Sequence, residues 1–292
     1  MTHKFEMPKR VVSDSQGFET LNDFYNQTKN AFIDTIVIDF SNTDWFDANL
    51  LAMLGAILSR LEENLNSINI INLKNRLEKI FSKNHFLSNF GGYKIEDYYQ
   101  TTIKYKKIKP NEEKVFKYYL DNELLSKTVL PKMSTGLRKK INESIFEIFN
   151  NAIIHGESSD IFSCGQYYPR GSKLDFTIVD LGKTIKVNVN KYLNKNLKGS
   201  QAIDWAVQEG NTTKVGDTPG GLGLSLIRDF LKLNNGKIQI RSCDGYWCQA
   251  GNQINQISFD KEFDGTIVNL EFNLNDKSLY YLKSELKPED IL

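Results

Sequence analysis

The chain lacks an excess of charge of either sign: its 292 residues carry 37 Lys and Arg against 36 Asp and Glu. The balance holds by segment, with 14 basic and 13 acidic groups in residues 1–109 and 23 of each in residues 110–292. Binding along a nucleic-acid backbone draws on clustered Lys and Arg that displace counterions, so no nucleic-acid partner is expected. Long apolar runs are missing too. The longest, residues 50–58, is far shorter than the roughly 20 residues of a membrane-spanning helix, and residues 1–10 contain no apolar signal core. The expectation is a cytoplasmic protein without a membrane span. Cysteine is scarce: Cys164, Cys243 and Cys248 are odd in number and form no CxxC pair, which favours reduced thiols over disulfides or a sulfur-ligated metal.

What is present in the first half is alternation of strand and helix. Residues 35–40 (TIVIDF) are a short β-branched run read as a buried strand. Asp47 is placed to cap a helix whose apolar positions Leu50, Leu51, Leu54, Ile57, Leu58 and Leu61 recur at spacings of three and four, as in an amphipathic helix packed on that strand. Residues 67–73 repeat the strand signal, Leu77, Ile80 and Phe81 suggest a second helix, and Gly91-Gly92 closes the unit. The order predicts a small α/β layer domain.

The run VIDFSNTDWFDANLLAMLGAILSRL (residues 37–61) resembles the STAS domain of anti-sigma factor antagonists and related bacterial regulators, over roughly residues 8–100. In that family the residue after the capping Asp is often a serine that a partner kinase phosphorylates. Here Ala48 stands in its place. The resemblance therefore implies a docking or dimerising role without a phosphorylation switch at that position, while on capping chemistry Asp47 is simply a helix cap.

The boundary is expected near Pro110, and residues 111–125 read as helical. In the second half, residues 137–156 (LRKKINESIFEIFNNAIIHG) set Ile141, Ile145, Phe149, Ala152 and Ile153 on one side of a helix. Glu143, Glu147, Asn151 and His155 form a polar stripe on the other, which suits either a solvated face or a site. Gly156 is placed as the residue that ends the helix. Downstream, residues 175–180 (DFTIVD) are a strand ending in an acid and leading into Leu181-Gly182-Lys183-Thr184, and residues 218–227 read TPGGLGLSLI. A glycine-rich loop that enters a helix aims backbone N–H groups at an anion. Neither segment is a G-x4-G-K-[ST] loop nor a G-x-G-x-x-G fingerprint.

Taken in order, these segments resemble the GHKL superfamily of ATP-binding domains, which includes gyrase, heat-shock chaperones, histidine kinases, mismatch-repair ATPases and anti-sigma factor serine kinases. The N box is matched by residues 147–156 (EIFNNAIIHG), the first glycine box by Asp180-Leu-Gly182-Lys-Thr184, the second by Gly220-Gly221-Leu222-Gly223, and a weaker late element by Gly265-Thr266. The likeness spans roughly residues 111–275 and is greatest to the anti-sigma kinase type.

What the resemblance implies is ATP and Mg²⁺ as ligands, with Asn151 as the Mg²⁺ ligand and Glu147 as general base. Asp180 would accept the adenine amino group, Gly182 would admit the base, Gly220, Gly221, Leu222 and Gly223 would line the phosphates, and Thr266 would support the adenine side. Asn150, His155 and Lys214 are further cofactor-binding candidates. Thr184 departs from the family's glycine and is expected to stiffen the hinge of a lid running to Pro219, with a helical piece over residues 202–207.

The expected fold class is α/β (α+β): a small STAS-like α/β domain, then a GHKL (Bergerat-type) α/β sandwich whose mixed sheet is covered by helices on one face. The expected domains are residues 1–105 as regulatory, 106–130 as linker and connecting helix, 131–275 as nucleotide-binding and beginning as early as 111, and 276–292 as a tail. Strands are expected at residues 237–241, 256–259 and 266–272, with turns at Asn235-Gly236 and Asp264-Gly265, and Trp247 as sheet packing. The function so implied is a serine/threonine protein kinase acting on a protein regulator. The alternative is a non-kinase ATPase or nucleotide switch acting through the STAS-like half. A homodimer is compatible with either, whereas a histidine kinase is disfavoured because His3, His85 and His155 all lie off any long dimerisation helix.

Overall fold

The structure, a computed structural model, describes residues 1–213 and 222–285. The first part of the chain runs β1 (Thr2–Glu6), β2 (Arg10–Val11), α1 (Ser15–Thr28), β3 (Thr35–Asp39), β4 (Trp45–Phe46), α2 (Leu51–Glu63), β5 (Ser67–Ile71) and α3 (Asn75–Lys83). It continues with β6 (Thr102–Ile108), α4 (Glu113–Tyr119), β7 (Lys132–Met133), α5 (Thr135–Ile154), β8 (Ile161–Tyr168), β9 (Lys173–Asp180), α6 (Ile185–Leu193) and α7 (Gly199–Ala206). The last elements are α8 (Leu222–Leu233), β10 (Lys237–Ala250), β11 (Gln253–Asn273) and β12 (Leu279–Tyr280).

The α/β class is as expected. The first sheet is parallel, in the order β1-β3-β5, with α1 and α2 as its crossovers. The expected amphipathic α2 is instead buried nearly all round, from Leu51 to Leu61. A helix apolar on every side belongs between two layers. Its second layer is formed by β8, β9 and β6, and at β6 Gly55 leaves the space that the Tyr105 ring fills, where a Cβ would collide with it. Asp47 does not cap. Its carboxylate accepts the Ser13 N–H and the Trp45 indole N–H, both at 2.8 Å, and a short 3₁₀ turn, Ala48–Leu50, starts the helix without a side-chain bond.

The second sheet has five strands in the order β10-β11-β9-β8-β6. Every pairing in it is antiparallel, which corrects the expectation of a mixed sheet. It is also covered on both faces. The inner strands β8 and β9 are buried along nearly their whole length, as strands between two layers must be. On one face α5, α8 and α7 enclose a core with Phe149, Phe176, Ile227, Ile240 and Trp247. On the other, Cys164, Val179, Tyr246, Phe263 and Ile267 join the core of the first half. The expected boundary at residues 105/106 therefore falls inside β6, a strand of the second sheet, and the expected linker contains the end of that strand and α4.

Polar side chains also join the two layers. The Asn49 amide donates to Ser13 Oγ at 2.9 Å, to Thr177 Oγ1 at 3.0 Å and to Asn269 Oδ1 at 3.1 Å, and the Asn269 amide donates to Gln239 Oε1 at 2.9 Å. All five residues are buried, so these bonds replace the water they give up. The Asp264-Gly265 turn is not formed: both residues lie inside β11, whose register against β10 shifts next to Ser242 and Cys243. The hairpin turns at Gly251. Residues 279–280 of the expected tail form β12, parallel to β7, and Glu285 accepts the Gly136 N–H at 3.1 Å. The three cysteines are free thiols, and Trp247 is sheet packing as expected, with its indole N–H on Asp204 at 2.8 Å. No helix among the described residues is long and apolar enough to cross a membrane.

Candidate functional site

The site is a cavity of about 120 Å³ between α5, the second sheet and the α6–α7 pair. Its α5 wall consists of Glu147, Ile148, Asn151, Ala152 and His155, whose offsets of one, four, five and eight place them on one face of the helix. Three members of the polar stripe thus line the cavity. Glu143 lies one turn away, outside it, and Asn150 is half-buried on α5 without being part of the wall. The Asn151 amide has no hydrogen-bond partner among the described residues.

Across the cavity lies Asp180, the last residue of β9. It is 5% exposed and its Oδ1 accepts the Gly182 N–H at 3.0 Å. Burial pushes its carboxyl up to about 8, against a smaller lowering by the Gly182 and Thr266 backbone N–H groups. At neutral pH the carboxyl is therefore largely protonated. Thr266 sits opposite Asp180 in the β9–β11 register, lines the same cavity, and places its hydroxyl 3.0 Å from Ser242 Oγ.

Three glycines from three separated segments meet around Asp180. A Cβ on Gly156 would come 2.9 Å from Asp180 Oδ1, one on Gly182 would collide with the Gly156 carbonyl, and one on Gly265 would collide with the Asp180 carbonyl. Gly265 also has φ +145, a conformation that side chains disfavour. Gly156 needs glycine for this crowding, not for a left-handed turn. The positive φ that follows α5 belongs to Glu157.

Thr184 caps α6: its Oγ1 accepts the Val187 N–H at 3.4 Å. Of the segment expected to form a lid, residues 214–219 lie outside the described residues, and the described part forms α6 and α7, with Ala202, Ile203 and Val207 buried on the sheet and Gly199 N–H on Asp244 at 3.1 Å. These helices wall the cavity through Ile185, Asn188, Val189 and Trp205. His155 closes the end of α5: its carbonyl accepts the Asn188 amide at 2.9 Å, and its Nδ1 is 3.3 Å from Thr213 Oγ1.

Gly223, in the first turn of α8, donates its N–H to Glu147 Oε2 at 2.9 Å. A carboxylate is thus held at a helix N-terminus, the place where a helix attracts anions. Lys214, Gly220 and Gly221 lie outside the described residues, as does the Leu222 side chain. Among the described residues, the group of metal-binding spacing is Cys243, Asp244 and Glu262, which lies outside the cavity, and the Lys186 ammonium already bridges Asp244 at 3.0 Å and Glu262 at 3.5 Å.

Several lining residues escaped the sequence reading. Ile178 and Val268 flank the site two residues from Asp180 and Thr266, so strand alternation places them on the same face. Ile148 carries no chemical signal of its own. Neither a family model nor a curated protein matches this chain.

Proposed function

We propose that the chain is an ATP- and Mg²⁺-binding regulatory protein of GHKL type, with a STAS-like first half, and that it transfers the γ-phosphoryl group to a serine or threonine of a protein regulator. The observation that carries this reading is the convergence of Glu147, Asn151, His155, Asp180 and Thr266 on one cavity, although they span 120 positions of sequence. The cavity is smaller than the roughly 300–1,000 Å³ of sites that enclose a whole ligand, which suits a base ring held inside with its phosphates beyond.

Asp180 would accept the adenine amino group once ionised. Asn151, with its amide on the cavity wall, would hold Mg²⁺, which supplies charge neutralisation for phosphates. Glu147 would take the hydroxyl proton as the new oxygen–phosphorus bond forms and the bond from the γ-phosphorus to the departing ADP breaks. The Gly223 N–H group, which would face phosphate, donates to Glu147 Oε2 at 2.9 Å. Calorimetric ATP titration with and without Mg²⁺, followed by product analysis with γ-labelled ATP, tests the reading. No heat of binding at millimolar ATP would rule it out.

A second reading is a nucleotide switch without transfer. It is favoured by the Tyr25 hydroxyl of α1, which donates to Asp264 at 2.8 Å, two residues before Thr266. The first half thus grips the strand that floors the cavity. This reading expects a change in oligomer size or protease sensitivity between ATP and ADP, and identical behaviour with both would count against it.

A further inference from the structure

A second concavity, about 570 Å³, lies on the other side of Glu147, and shares with the first cavity that residue and no other described one. It runs between α5 and α8 toward the β12 segment. Leu137, Leu226, Phe230 and Leu282 give it apolar walls. Leu233 and Tyr281, at its edge, are large apolar side chains left 67% and 48% exposed. Its charged members besides Glu147 are Glu143, Glu209 and Asp229 against Lys140 and Lys283; Lys140 is paired with Glu143 at 2.7 Å and Asp229 with the neighbouring Arg228 at 3.1 Å, so Glu147 and Glu209 stand against Lys283.

We infer that this groove is the docking site for a basic, amphipathic segment of a partner protein, which lays apolar side chains between α5 and α8 and presents a serine or threonine hydroxyl to Glu147. The inference rests on the kinase reading of the cavity. Two features support it. The groove is acidic on balance, so a segment carrying Lys or Arg complements it. It is lined by the proposed base itself, so a hydroxyl held in it can reach Glu147 without entering the first cavity. Residues 286–292, LKPEDIL, bear one Lys against Glu289 and Asp290, and are the wrong sign to fill it.

The test uses the full chain and two fluorescein-labelled twelve-residue peptides, one alternating Leu and Lys around a central Ser and one with Glu in place of Lys. Binding is read by fluorescence anisotropy without nucleotide. The Lys peptide is expected to bind and the Glu peptide not. The Glu143→Lys, Asp229→Lys double variant should weaken the Lys peptide by about tenfold and Leu233→Asp should weaken it too, with ATP titration unchanged in both. Equal binding of the Lys peptide to wild type and double variant overturns the inference. So does binding that is seen only after residues 286–292 are deleted, since the occupant is then the chain's own end. A failure of ATP to bind would remove the kinase reading while leaving a peptide groove in place, so the two failures are distinguishable.

Discussion

The Glu147 carboxylate accepts the Gly223 N–H at 2.9 Å, which ties the middle of α5 to the first turn of α8. A Cβ at residue 223 would collide with Glu147 Oε2 and lie 3.0 Å from Glu147 Cβ, so the Glu147 side chain occupies the space a side chain at 223 would need. Gly223→Ala should displace Glu147 even though alanine favours helix by about 1 kcal/mol. The expected outcome is loss of phosphoryl transfer with a folded chain, read by labelled-ATP assay beside circular dichroism. Full transfer by the variant would refute the pairing.

Glu147→Gln should keep ATP affinity within a few-fold and lower turnover by roughly 10²–10⁴-fold, the usual worth of a positioned base. A variant that turns over as fast as wild type would remove Glu147 from the chemistry.

Asp180 links both ligand and stability to pH. Its folded value of about 8 lies above the ordinary 3.8, so the folded chain holds this proton more tightly than the unfolded chain does. The associated stability is fully present below about pH 4 and is lost as pH rises toward 8. Asp180→Asn, which keeps an oxygen for the Gly182 N–H, should therefore gain stability relative to wild type across that window, as measured by thermal melts. ATP binding to the ionised carboxylate should release close to one proton at pH 7, and affinity should climb until about pH 8. Calorimetry in two buffers of different ionisation heat counts that proton. A count of zero would displace adenine from Asp180.

Asn49→Ala should cost about 1–3 kcal/mol, because Thr177 Oγ1 and Asn269 Oδ1 would each lose a buried donor and keep only the 2.7 Å bond between them. The shared core predicts that both halves unfold in one transition in urea. Separate transitions for the residues on either side of β6 would contradict it.

Thr184→Ala removes the cap of α6 and should cost about 1 kcal/mol, with Thr184→Gly costing only a few tenths. A hinge residue would behave otherwise, with glycine changing turnover more than stability.

Much of this protein was legible in one dimension because local chemistry is local. The period of α5 placed Glu147, Asn151 and His155 on one face before any contact was known, and a strand ending in an acid followed by glycine marked Asp180. Gly156, Gly182 and Gly265 stood out as glycines, but that all three crowd a single carboxyl depends on strands brought together from far apart in the chain. The same holds for Thr184, where a β-branched residue reads as stiffness and the fold uses its hydroxyl as a cap. The stretch from Thr184 to Pro219 looked like a lid because its polar character hides how Ala202, Ile203 and Val207 meet the second sheet. The division into halves failed for a related reason. The composition changes near Pro110, yet the back of the second sheet is wide enough to bury α2, and β6 carries the chain from one layer into the other. Period and residue type thus settled which groups face together along one helix or strand. Tertiary packing settled which distant groups meet, because burial and hydrogen-bond satisfaction are properties of neighbours in space.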